Sequence, residues 1–215
     1  MPSASNKNPG VVRVGLTGGF GTGKSTVLEM FRRKGARVMD ADRIVHGLLE
    51  GDAAVRRRIV SRFGAAAMGP AGRVDREFLA KRIFSNVRDR RALERILHPA
   101  VRRTYLSAMA RLKRGVAVVD IPLLYETGLQ RKFDLVVVVT AARKSRIRRL
   151  SARGFSARDF QRRARAQWPL ARKKRLADIV VDNDGSKART KKQIDEIWKM
   201  MNQPQRVVRG KNGHT

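Results

Sequence analysis

At 215 residues with 42% hydrophobic side chains, the chain has material for one sizeable core or a core with a small lobe, and its apolar residues cluster too cleanly for disorder along the whole length. The absence of cysteine excludes disulfides, thiolate zinc sites and cysteine nucleophiles, and three histidines leave little for a His-rich metal cage. Lysine and arginine number 49 against 18 acids, and the resulting charge of +31 draws polyanions of any kind: phosphorylated small molecules, nucleic acid or anionic lipid.

Residues 1–10 lack the apolar segment of a secretory signal and, with 203–215, are expected as flexible tails beside one domain over 11–202. Residues 11–17 form the first of five short, continuous apolar runs, followed by 36–39, 116–121, 135–140 and 179–181. Such Val/Ile-rich runs read as parallel strands covered on both faces. Between the first two, residues 24–34 predict a helix with Val27, Leu28 and Phe31 on one side and Gly35 as its stop, so the chain opens on a βαβ unit. From 44 to 113 no strand pattern appears. Amphipathic helices are predicted over 44–49, 55–63, 76–84, 87–97 and 101–112, with a loop at 64–72 and Pro99 separating the last pair. The stretch is expected as an all-helical insertion in an α/β core made of 11–43 and 114–202. Beyond the fourth strand, helices over 144–152 and 157–168 carry a dense basic run, with fourteen Lys and Arg against Asp159 alone between 143 and 175. Most of these side chains read as solvated helix faces. A last helix, 187–201, brings Ile194, Ile197, Trp198 and Met201 to one side. The longest uncharged apolar run, 135–142, is far short of the roughly 20 residues that span a bilayer, so a soluble cytoplasmic protein is expected.

The strongest local signal is Gly18-Gly19-Phe20-Gly21-Thr22-Gly23-Lys24-Ser25, which meets G-x-x-x-x-G-K-[ST] at every fixed position, after a strand and before a helix. Its four glycines permit positive φ, so that backbone N–H groups turn inward on a phosphate. The helix N-terminus adds about half a positive charge at the same place. Lys24 is expected to bridge the β- and γ-phosphates and Ser25 to hold Mg²⁺, which makes this a loop for a nucleoside triphosphate.

Two acidic features accompany it. Asp120 ends the run VAVVD, where P-loop proteins place a carboxylate near Mg²⁺; capping the turn before Ile-Pro is the competing role. Asp40 and Asp42 stand just past the strand 36–39, at the strand ends where α/β sheets bind ligands. Asp42 either accepts a proton from an attacking hydroxyl or caps the helix 44–49.

The stretches VGLTGGFGTGKSTV, ARVMDADRIVH, GRVDREFLAKRIFSN, LERILHPAV, VVDIPLLYETGL and ADIVVDNDGS together resemble the dephospho-coenzyme A kinase family, in order from about Val14 to Trp198. The resemblance implies a P-loop, nucleoside-monophosphate-kinase-like α/β fold: a parallel sheet flanked by helices, a helical acceptor-binding insertion at 44–113 and a lid at about 143–175. It implies transfer of the ATP γ-phosphate to the ribose 3′-hydroxyl of dephospho-CoA, the last step of coenzyme A synthesis, with ATP and Mg²⁺ as cofactors. It implies that Gly21 to Thr26 cradle ATP and that Asp42, beside Asp40, is the base. His98, Pro99, Leu123, Leu124, Tyr125 and Glu126 fall at or near the acceptor pocket by the same likeness, although a His before Pro, taken alone, reads as a helix-end hydrogen bonder. Arg76 and Arg82 lie in the family's D-R-x-x-L-A-x-x-x-F stretch and meet either substrate phosphate or solvent. Asn183 and Gly185 match its N-x-G on the adenine side. Arg149 and Arg153 match the two lid arginines and are the candidates for donors to the transferring phosphoryl group. The chain departs from the lid pattern at Arg146, which stands where a Gln is usual, and at Gly154, which comes one residue early.

Two rivals are another P-loop kinase for a nucleoside or nucleotide, and a basic nucleic-acid-dependent ATPase. The second lacks a helicase-type second motif set and an RNP-like aromatic segment, and aromatics are only 6%. Incidental nucleic-acid affinity follows from the charge; no membrane partner is expected, and the chain is expected as a monomer or weak homo-oligomer.

Overall fold

The computed structural model describes residues 10–202, so the tails expected at 1–10 and 203–215 lie, apart from Gly10, outside the described residues. In chain order the elements are β1 (Val11–Gly18), α1 (Lys24–Arg33), β2 (Arg37–Asp40), α2 (Ala41–Gly51), α3 (Ala53–Phe63), α4 (Arg76–Ser85), α5 (Val87–Ala110), β3 (Gly115–Asp120), β4 (Leu135–Thr140), α6 (Arg143–Ser151), α7 (Ala157–Arg165), α8 (Leu170–Arg175), β5 (Ile179–Asp182) and α9 (Lys187–Met201). Two compact units result, one of residues 10–39 with 112–202 and one of residues 40–111.

The first unit carries the five-stranded parallel sheet, in the order β2-β3-β1-β4-β5. β1 is central, with Val12 opposite Val116 on one side and Leu16 opposite Val137 on the other. Both faces are covered, which is why the strands read as unbroken apolar runs. Val14, Leu16, Val118, Val137 and Val139 have no exposed surface and pack with Val27 and Phe31 of α1 and Ile194 of α9. Burying side chains of this size contributes roughly 1.5–3 kcal/mol each. Thr17 at the end of β1 and Asp120 at the end of β3 are buried polar residues on the carboxyl side of the sheet, where ligands bind in folds of this kind.

The second unit is helical. α2, α3, α4 and α5 enclose Leu49, Val55, Ile59, Phe63, Leu79, Leu93, Ile96 and Leu97, and two short 3₁₀ turns fill 65–67 and 70–72 where a loop was expected. Each helix begins on a side-chain cap: Asp40, Asp52, Asp75 and Asn86 accept from the first free N–H groups of α2, α3, α4 and α5. Among the described residues no helix is long and apolar enough to cross a membrane.

Three helix expectations are corrected. Pro99 does not separate two helices, because α5 runs through it as one 24-residue helix. Its buried side continues without a shift of phase across the proline, through Leu93, Ile96, Leu97, Ala100, Val101 and Tyr105, and that packing outweighs the roughly 3 kcal/mol a helical proline costs. α7 stops at Arg165 rather than at Trp168. Pro169 disfavours helix at residue 168, and the Trp168 N–H is taken by a Glu126 carboxylate oxygen at 2.7 Å instead of a carbonyl of the preceding turn. α8 was not expected at all; it is four-sixths basic, with Lys173 as its buried residue.

Candidate phosphate-binding site

Of the four glycines expected to permit positive φ in the loop between β1 and α1, two take it, while Gly18 ends β1. Gly21 and Gly23 sit at φ +80° and +86°, and Gly23 is the left-handed N-cap of α1. Side chains are excluded as well as strained: a Cβ at Gly23 would run into the Asn183 amide nitrogen, and one at Gly21 would lie 2.7 Å from Leu150. Thr22 is fully buried and folds back, its hydroxyl donating to the Gly19 carbonyl at 2.9 Å. It is a bracing residue of the loop. Lys24 is half-buried, Ser25 exposed and Thr26 half-buried at the start of α1.

A polar shell holds this loop from behind. The Asn183 side-chain amide donates to the Thr22 carbonyl at 2.8 Å, and its oxygen accepts from the Thr190 hydroxyl at 3.0 Å. Arg149 donates to the same Thr22 carbonyl at 3.4 Å and to the Asn183 carbonyl at 2.6 Å. Both ends of the Asn183 side chain and two guanidinium nitrogens of Arg149 thus serve the loop's shape. Gly185 follows at φ +95°, in the turn that leads to α9. Arg146, the departure from the family's Gln, donates to the Phe20 carbonyl at 2.8 Å and lies over the Phe160 ring at 5.0 Å. Burial, and then the charge of Arg143, lower its pKa. The Arg163 guanidinium covers both Phe20 and Phe155, whose rings meet edge to face at 5.5 Å. Arg153, by contrast, is exposed past the end of α6.

The segment after β3 forms a second polar group. Asp120 is buried at the strand end. Leu123 is half-buried, and Leu124 is fully buried in the core. The Tyr125 hydroxyl donates to the Leu176 carbonyl at 2.7 Å, its ring lies parallel to Trp168 with centroids 6.4 Å apart, and the Arg172 guanidinium lies 3.6 Å from the Trp168 ring centre. Burial, with Asp178 nearby, pushes that phenol far above its usual range. Glu126 accepts from the Trp168 N–H and from the Lys173 ammonium at 2.9 Å. Lys173 has no exposed side-chain surface. Burial, with the like charge of Lys24 adding to it, pushes its pKa down, while Glu126 and Asp120 oppose the shift.

The remaining candidates lie in the helical unit. The cap of α2 is Asp40, whose Oδ1 accepts from the Asp42 and Arg43 N–H groups at 2.9 and 3.2 Å, so helix capping is not the work of Asp42, which is exposed. Arg76 lies against the His46 ring at 2.9 Å. Arg82 donates to Asp89 at 3.0 Å, and Arg62 does so at 2.7 Å on the other oxygen. Arg82 is therefore engaged with a buried carboxylate. His98 and Pro99 are exposed within α5, not at a helix end.

Sequence reasoning missed Lys173, Trp168 and Phe20. A lysine at a core position breaks the apolar period that marks a helix face, so the one legible signal was negative: a cation where the pattern wanted an aliphatic side chain.

With this geometry in view, similarity to known proteins is informative. The dephospho-CoA kinase family model matches residues 12–189. The dephospho-CoA kinase of Symbiobacterium thermophilum is 42% identical over 190 residues, covering 86% of this chain and 80% of that one. The one from Geobacillus kaustophilus is 40% identical, covering 86% and 94%. Among solved structures, the Thermus thermophilus protein TT1252 superposes with a TM-score of 0.74 at 32% identity, covering 86% of this chain and 95% of that one. The dephospho-CoA kinase of Campylobacter jejuni shares the fold, with a TM-score of 0.68 at 24% identity over 89% and 97%. A phosphate loop braced by Asn183 and Arg149, on a sheet and sequence shared with these proteins along nearly its whole length, makes this chain a member of the dephospho-CoA kinase family.

Proposed function

We propose that the protein transfers the γ-phosphoryl group of ATP to the ribose 3′-hydroxyl of dephospho-CoA, releasing ADP and coenzyme A. The observation that carries this is the Gly18–Ser25 loop, with its two left-handed glycines and its braced Thr22, in a chain of this family. The loop amides and the α1 N-terminus bind the phosphates, and Lys24 spreads charge over the β- and γ-phosphates. Ser25 and Asp120 are the residues that would hold Mg²⁺. A hydroxyl and a carboxylate are hard oxygen donors suited to it, and because phosphates and water complete such a site, no cluster of three or more protein ligands is needed or found among the described residues. When bound, the ion neutralises charge on the phosphate oxygens.

Asp42, exposed and not consumed as a helix cap, is assigned as the base. As the 3′-oxygen forms its bond to the γ-phosphorus, the bond to the ADP oxygen breaks and the hydroxyl proton passes to Asp42. Of the two lid arginines, exposed Arg153 is assigned to the transferring phosphoryl group, and Arg149 acts through the loop backbone. The helical unit, residues 40–111, is assigned to acceptor binding, and the reaction is assigned to the cytoplasm.

Incubation with ATP, Mg²⁺ and dephospho-CoA should yield coenzyme A by mass detection. ADP release only with other nucleosides, or ATP hydrolysis stimulated by RNA with no phosphate on dephospho-CoA, would instead favour the rivals. Asp42→Asn should lower turnover by about 10²–10⁴-fold, with ATP affinity within a few-fold of the parent. Turnover close to the parent's would remove Asp42 from the mechanism.

A further inference from the structure

Lys173 is unusual on three independent counts. A lysine side chain is rarely fully buried, and then almost always paired; this one has no exposed surface and bonds Glu126. It stands on α8, a helix whose other basic residues, Arg172, Lys174 and Arg175, are exposed. It also reaches 51 residues back along the chain, where its ammonium donates to the Pro122 carbonyl at 2.8 Å and to Glu126 at 2.9 Å.

The Pro122 carbonyl is a meeting point. It accepts a second hydrogen bond, at 3.2 Å, from the hydroxyl of Thr17, the buried residue immediately before Gly18. One carbonyl thus joins the start of the phosphate loop, the turn two residues past Asp120, and α8. Glu126 closes the other end of the same turn, accepting from Lys173 and from the Trp168 N–H on one oxygen, while its second oxygen is buried with no donor. The turn 122–126 is held at both ends by a single ammonium. A full charge here exceeds what packing needs: an isosteric methionine would fill the volume without the cost of burying a cation. What a methionine cannot do is bind the Pro122 carbonyl and Glu126 at once.

We infer that Lys173 is a positioning residue for phosphoryl transfer: by clamping the turn between Pro122 and Glu126, and with it the Thr17 contact, it sets the aim of Asp120 relative to Lys24 and the phosphate loop. The ammonium lies close enough to Lys24 and Asp120 to feel both charges. It does not touch substrate, being wholly enclosed. The inference rests on the assignment of Asp120 to the metal.

The test compares Lys173→Met, the double variant Lys173→Gln with Glu126→Gln, and Asp120→Asn, in the full chain. Each is assayed for dephospho-CoA-dependent ADP formation and for Mn²⁺ affinity with a non-hydrolysable ATP analogue, read by electron paramagnetic resonance. Lys173→Met should lower kcat and weaken Mn²⁺ about 10- to 100-fold, the usual cost of losing a group that orients a metal ligand. The neutral Gln pair, which keeps a donor for Pro122 without burying a charge, should recover most of both losses. A purely structural lysine would lower Tm in Lys173→Met and leave kcat and Mn²⁺ affinity of the folded protein at parental values, and that result overturns the inference. Should Lys173→Met not fold, the Gln pair decides alone: a rate and Mn²⁺ affinity both below one-hundredth of the parent's would mean that hydrogen bonding does not do the positioning. Asp120→Asn separates the two layers. If it keeps parental Mn²⁺ affinity and rate, the metal assignment fails; if it is impaired while Lys173→Met is not, only the positioning role fails.

Discussion

The two units bury polarity in different ways. In the sheet-bearing unit, Thr17, Thr22, Asp120, Lys173, Asn183 and Thr190 are buried, and most of them converge on the phosphate loop or on the turn after β3. In the helical unit Asp89 is buried, held between Arg62 and Arg82, while the polar residues that shape its helices sit at the ends as caps. Burying a polar group costs unless it is fully bonded, so a fold that does this repeatedly at one edge of a sheet is holding backbone in a set position. Helix caps satisfy the same accounting locally. The contrast teaches that substitution at buried polar sites should damage rate in one unit and stability in the other.

The largest expected effect is at the loop itself. Lys24→Ala should cost on the order of 10²–10³-fold or more in turnover, with Tm little changed, if its amine serves phosphate as proposed rather than the core. Next comes the bracing shell. Asn183→Leu keeps the volume but strips the Thr22 carbonyl and Thr190 hydroxyl of a partner, and should cost about 1–3 kcal/mol of stability together with a rise of roughly tenfold in the KM for ATP. A loss of stability with an unaltered KM would break the comparison. Asp89→Ala tests the other side. Arg62 and Arg82 are half-exposed and keep their hydration, so the loss should be about 1 kcal/mol, seen as a few degrees of Tm, with kcat unchanged. A tenfold fall in kcat would place Asp89 in the catalytic machinery.

The smallest effect concerns acid. Arg32 and then Arg33 hold the Glu29 carboxyl at about 2, below its ordinary 4.5; Ser156 lowers Asp159, and Lys34 and Lys191 lower Asp195. Depressed carboxylates stabilise the folded state above their unfolded values and lose that contribution as pH falls toward the folded ones. All three lie on the surface of the sheet-bearing unit, so the Glu29→Gln difference in stability should be slight at pH 7, shrink below about 4.5 and disappear as pH falls through about 2. A urea-unfolding series across that range measures it; a difference unchanged between pH 7 and pH 2 would refute the carboxylate as its source.

Much of the architecture was legible because its signals are local. Five continuous apolar runs became the five strands within one or two residues at their ends, and β4 and α9 have the bounds the pattern predicts. The phosphate loop was legible for the same reason: its glycines fall within eight residues, Gly21 and Gly23 needed by their positive φ and Gly18 by the close approach of Val139. Helix ends were harder where a distant group decided them, as when Glu126 takes the Trp168 N–H. The family likeness brought Arg149, Asn183 and Glu126 to notice, but not the tasks the fold gives them in bracing backbone.

What the sequence determined by itself was the phosphate loop and the α/β order, because steric freedom, period and short-range turn chemistry act over a few residues. Only the tertiary structure decided that α5 passes through Pro99, that Arg149 bonds Asn183, and that a lysine in a basic run is buried against a carbonyl and a carboxylate about fifty residues away. Those outcomes depend on which elements pack against one another, and no local propensity records that.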